Sequence, residues 1–129
     1  MEIYLREMKE LGWIVIIASW VWVDWYQIVK LRQTINHLVE VILRGMCGIL
    51  YGALIFDAQP GMMGVWVILF EISSFYLFFE VALNLARRVA WDYLGQTSAM
   101  DRFLYNKRPL FYLIKLASAA GMIISIIKL

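Results

Sequence analysis

Four apolar runs, at residues 11–29, 38–56, 62–86 and 110–127, constrain this chain more than anything else in it. Each approaches or exceeds the ~20 residues that carry a helix across a hydrocarbon layer about 30 Å thick. Inside the runs stand Asp24, Glu40, Arg44, Glu71 and Lys115. Charges at such depth cost about 2.5–3.5 kcal/mol each on insertion scales, so each calls for an explanation. With 129 residues, 63% of them hydrophobic, a water-soluble domain would have too little interior to hide this surface. The reading is one all-α domain spanning 1–129. It is an integral membrane four-helix transmembrane bundle, with helices at about 11–30, 36–56, 62–93 and 109–128. A short interfacial helix is expected between the third and fourth spans.

Residues 1–12 put Ile3, Tyr4, Met8 and Leu11 near one face and Glu2, Arg6, Lys9 and Glu10 elsewhere, an amphipathic lead-in suited to the membrane surface. The first run follows this acidic-and-basic stretch, contains Asp24 and lacks a small-residue cleavage site after it. It therefore reads as a transmembrane helix rather than a cleavable signal. Trp25 and Tyr26, ahead of Lys30 and Arg32, mark a headgroup boundary, whereas Trp20 and Trp22 sit too deep for that and are expected to pack on neighbouring helices. In the second span Gly45, Gly48 and Gly52 form a groove where another backbone can approach closely, within the chain or across a dimer. Residues 57–61, with Pro60 and Gly61, form a tight turn that makes spans two and three antiparallel neighbours. Gly95 is the expected C-cap after the third helix, and Ser98 with Asp101 fits the opening of the short helix. Pro109 suits the first turn of the fourth span, where Ala117, Gly121 and Ser125 give a ridge of small residues for close packing.

The formal charge of +2 matters less than its distribution. Lys30 and Arg32 share one side with Arg87, Arg88, Arg102, Lys107 and Arg108, so the positive-inside rule puts loops 1 and 3 in the cytoplasm and both termini outside. The setting is a cell inner membrane, crossed several times. From the cytoplasmic ends at 1.5 Å per residue, Glu40 lies ~6 Å deep, Asp24 and Lys115 ~9 Å, Arg44 ~12 Å and Glu71 about mid-membrane. Glu40 and Arg44 are four apart, the spacing of an ion pair within a helix.

Two accounts of these charges stand side by side. In one, Glu40–Arg44 and a pair of Lys115 with Asp24 or Glu71 neutralise each other and fix helix register, or Lys115 snorkels to the interface. In the other, the residues line a water-filled path for protons, ions or a polar solute. Three acids against two bases leave one acid without a basic partner, and Glu71 is the deepest. Glu80 and Asn84 fall nearly opposite Glu71, close to the surface, where Arg87 or Arg88 can pair with Glu80.

No catalytic motif is present, and His37 with Glu40 is too small a set for a metal, so no enzyme activity, metal or cofactor is expected. No basic face is built up for nucleic acid. Cys47, the one cysteine, excludes an intrachain disulfide. The strings INHLVEVILR at 35–44 and DYLGQTSAMDR at 92–102, with Asp24 and Trp25, resemble uncharacterised small membrane proteins found among phages of Bacteroidota. That resemblance brings no established activity; it implies a phage origin and adds lysis to the functions in question. The leading expectation is a small oligomeric channel or transporter subunit in the lipid bilayer, with the five charges as its polar path. The alternatives are a holin-like protein that makes membrane lesions, and an accessory or scaffold subunit whose 87–109 loop docks a partner within a membrane complex.

Overall fold

In lipid, the backbone of a long apolar run finds no water to bond, so each run closes its own N–H and C=O groups as a helix. The computed structural model describes residues 1–33, 36–57, 61–94 and 99–129, and among these the regular structure is entirely helical. Helix α1 runs Glu2–Trp25 and passes into one wide π turn at Tyr26–Lys30; α2 is His37–Leu54, α3 Met62–Ala86, α4 Ala99–Tyr105 and α5 Arg108–Lys128. Glu2–Lys30, His37–Leu54, Met62–Ala86 and Arg108–Lys128 are long and apolar enough to cross a membrane. The short α4 falls between the third and fourth of them, as expected. Pro60, Gly95 and Ser98, expected as turn and cap residues, lie outside the described residues.

Two helices end differently from the sequence reading. The amphipathic lead-in is no separate piece, because α1 is continuous from Glu2. A single Gly12 costs a helix only about 1 kcal/mol, and here the Tyr51 hydroxyl lies against it and donates to the Lys9 carbonyl at 2.7 Å. At its other end α3 stops at Ala86 rather than near 93. Arg88 adopts φ 60, Val89 N–H bonds the Asn84 carbonyl at 3.0 Å and Arg88 N–H bonds the Leu85 carbonyl at 3.0 Å. This pair of bonds is the Schellman closure that usually uses glycine at the left-handed position. The Asn84 amide then donates to the carbonyls of Trp91 and Tyr93 at 3.0 and 2.9 Å, pinning the following loop back against the helix.

Helix α3 is the hub. It packs most extensively along α5, then along α1, and meets α2 over a shorter stretch. One core cluster joins Trp13 and Ile17 of α1 to Phe56, Val67 and Phe70. A second, at the opposite end, joins Leu94, Leu104 of α4 and Phe111 of α5. On α5 the face that meets α3 carries Phe111, Lys115 and Ser125, and Gly121 lies so close that a Cβ there would come 2.7 Å from Ser73 Oγ. Ala117, counted with this ridge from its spacing, is exposed. Leu38, Val41, Ile49 and Leu54 of α2 and Leu113, Leu116 and Ile123 of α5 point outward. Such a contiguous apolar exterior suits lipid and not water.

Candidate functional site

Helix α2 has almost no core of its own, since Gly48 and Gly52 are its buried residues. It starts at His37, where the Asn36 side chain accepts from Val39 N–H at 3.3 Å and caps the helix. Polar ties hold it to the rest of the fold. Arg44 reaches across to α1, its Nη2 standing 2.7 Å from Asp24 Oδ1 and 2.7 Å from Glu40 Oε2. The guanidinium also lies over the Phe79 ring at 4.4 Å, with Trp20 and Phe75 farther off at 5.7 and 6.0 Å. Arginine suits this position because its planar fork binds carboxylates while its face stacks on aromatic rings. Two carboxylates share one guanidinium, so the triad is formally anionic.

The spacing along α2 anticipated Glu40–Arg44, but the partner for Asp24 differs from the expectation. Asp24, only 2% exposed, pairs with Arg44 and not with Lys115. Lys115 pairs instead with Glu80 at 3.2 Å and donates to the Tyr76 carbonyl, so neither Asp24 nor Glu71 serves it. Glu80 in turn pairs with Lys115 rather than with Arg87 or Arg88. Of the basic loop, Arg87 lies 5.7 Å from the Tyr93 ring, Lys107 lies 4.6 Å from Phe103, and Arg108 pairs with Asp92 at 3.9 Å. Arg88 makes the turn after α3, and Arg102 stands in the last turn of α4. The five charges singled out from the sequence therefore do not form one cluster.

Glu71 stands apart from both groups. It is 7% exposed, and among the described residues its Oε1 has no hydrogen-bond partner. Its carboxylate lies over the glycine strip of α2, with Oε2 3.4 Å from where a Gly48 Cβ would be and Oε1 3.4 Å from that of Gly52. The glycines thus make room for a carboxylate where the sequence suggested a close-packed backbone. Gly45 lies on the same strip with nothing within 4 Å of its Cβ position. Behind Glu71, the Trp13 indole N–H donates to Ser74 Oγ at 3.0 Å and to the Glu71 carbonyl at 3.3 Å, while Ser74 Oγ–H reaches the Phe70 carbonyl at 2.6 Å. The roles of Trp13 and Tyr51 left no mark in the sequence; the adjacent Ser73 and Ser74 in so apolar a helix were the available sign of this polar seam.

Two cavities of about 830 Å³ each flank these groups. One is a mainly apolar groove between α2 and α3, with Glu71 and the glycine strip in its walls and Trp13 and Trp20 at its back. The other is a charged vestibule lined by Asp24, His37, Glu80, Arg87, Asp101 and Lys115, among others. Val41, Arg44, Phe75 and Tyr76 line both, so these residues stand between the two. Among the described residues no group of three or more His, Cys, Asp or Glu could hold a metal ion. Comparison with family models, curated proteins and solved structures finds no match to this chain.

Proposed function

We propose that the chain is a small membrane transport protein, a channel or transporter subunit that moves a proton, an ion or a small solute between the vestibule and the groove. The observation that carries this reading is that Arg44 stands in the walls of both cavities, with Glu71 in the wall of the groove. An ionisable group buried in a membrane helix is expensive, and lining a solute or proton path is the usual reason to keep one. A purely structural role accounts for Arg44 and Lys115, since each has a carboxylate beside it. It does not account for Glu71, whose burial costs stability and brings no ion pair in return among the described residues.

A homo-oligomer or a larger membrane complex would close the outward side of α2 and enclose the groove. By the positive-inside rule the vestibule end, with loops 1 and 3, faces the cytoplasm of a cell inner membrane. The reading is tested by flux in liposomes holding the purified protein, with protons, sodium, potassium and a polar dye each followed. Flux above that of protein-free vesicles is expected, abolished by Glu71→Gln at unchanged helix content. Folded protein that passes none of these solutes would refute it.

A further inference from the structure

We infer that the groove between α2 and α3 is a binding site for a lipophilic monocation, an organic onium or amine whose positive centre rests against Glu71. This deepens the transport reading by naming what the groove holds. The argument starts from the shape. A space of about 830 Å³ fits a drug-sized organic molecule, the usual occupant of cavities of roughly 300–1,000 Å³. Its walls combine the rings of Trp13, Trp20 and Phe75 with the aliphatic side chains of Ile49, Ile68 and Ile72. Aromatic faces attract organic cations, and most strongly where water is excluded.

Charge then chooses among occupants. Glu71, 7% exposed, stands in the wall of this space, and among the described residues its buried Oε1 has no hydrogen-bond partner. Arg44 also lines the groove, but Asp24 and Glu40 both hold its guanidinium, so the formal charge of Glu71 and the triad together is negative. An anion is repelled here. An inorganic cation wants a shell of oxygen ligands, and the groove has chiefly apolar walls around a single carboxylate. A lipid chain fills the apolar volume and leaves Glu71 unanswered. A second copy's helix would do the same with the apolar side chains that α2 and α5 present outward. An onium with an apolar or aromatic shell satisfies the carboxylate, the rings and the aliphatic walls together.

Equilibrium dialysis of the purified, detergent-solubilised chain tests this with tetraphenylphosphonium and its anionic isostere tetraphenylborate. Saturable phosphonium binding is expected, without saturable binding of the borate. Glu71→Gln should weaken the phosphonium by about tenfold or more, the scale of one charge–charge attraction at a partly screened site. Gly45→Phe provides a second variant that spares the carboxylate: it adds a ring on the groove wall where a Cβ meets nothing within 4 Å, so it should fold and still weaken binding. Equal saturable binding of both ions overturns the inference. So does unchanged phosphonium affinity in either folded variant, which leaves the groove to lipid chains or a second copy's helix. Phosphonium bound at Glu71 by a protein that passes no solute would overturn the transport reading alone. Flux that depends on Glu71 in a protein that does not bind the phosphonium would overturn this inference alone.

Discussion

Removing the guanidinium at the centre of the triad should be the most damaging single change in the fold. Arg44→Leu strands Asp24, whose side chain is 3% exposed, and frees Glu40, whose side chain is 23% exposed. Breaking a buried pair from one side costs about 3–5 kcal/mol, because the remaining charge has no solvent. Glu40 is more open and should contribute below ~1 kcal/mol. The ring contact with Phe79 at 4.4 Å is lost as well, a further ~1 kcal/mol that the apolar leucine partly recovers. The expected loss is therefore about 3–6 kcal/mol, most of it traceable to Asp24. Reversible unfolding in mixed micelles, followed by far-ultraviolet circular dichroism, measures it. The double variant Asp24→Leu/Arg44→Leu should regain most of the loss, whereas Glu40→Leu/Arg44→Leu should regain little. Should the Asp24→Leu/Arg44→Leu protein lose the sum of its two single changes, Asp24 and Arg44 are not coupled and the triad as drawn is wrong.

Other outcomes follow from particular contacts. Arg88→Gly should stabilise the fold by roughly 0.5–1 kcal/mol in the same assay, since Arg88 sits at φ 60, where glycine pays no steric cost; a destabilised variant would mean that the arginine side chain matters more than its backbone. Trp13→Phe removes the donor to Ser74 Oγ at 3.0 Å and should cost about 1 kcal/mol or somewhat more, and a silent change would dismiss that bond. Lys115→Met should cost less than Arg44→Leu, because the Glu80 side chain it leaves behind is 30% exposed; equal losses would refute that ranking. A reporter fused after Leu129 should be active only if it works outside the cytoplasm, and one active only inside would invert the topology.

The number of long helices and their approximate positions were legible because a run of ~20 apolar residues has few alternatives in lipid. The end of α3 was not. Arg88 gives no sign that it will take the left-handed conformation usually left to glycine, so the run read as continuing to 93. Ion pairs divide in the same way. Glu40 with Arg44 follows from 3.6 residues per turn on one helix. Asp24 with Arg44, and Lys115 with Glu80, depend on how far each helix is rotated about its axis, which the order of residues along one chain segment does not specify. Trp22 shows the same gap: it was expected to pack inward, yet it is half exposed and its ring contacts are with Trp25 and Tyr26 on its own turn of chain. Glu71 was visible as the deepest acid, but the glycines that accommodate it read as a backbone contact.

The pairing pattern also bears on how such a chain enters a bilayer. Asp24, Glu40 and Arg44 all belong to α1 and α2, while Glu80 and Lys115 belong to α3 and α5. Each consecutive pair of spans therefore brings its own counter-charge and can be neutralised before the other pair arrives. The first pair of spans needs no charge from the second to neutralise Arg44, although Phe79 of α3 covers its guanidinium, and the second needs no charge from the first to neutralise Lys115. Insertion two helices at a time then avoids the several kcal/mol that an isolated charged span would meet at the membrane core. Glu71 is the exception to this economy. Its carboxylate comes from the second hairpin and comes to rest against the glycines of the first, so its final surroundings exist only once the two halves have met.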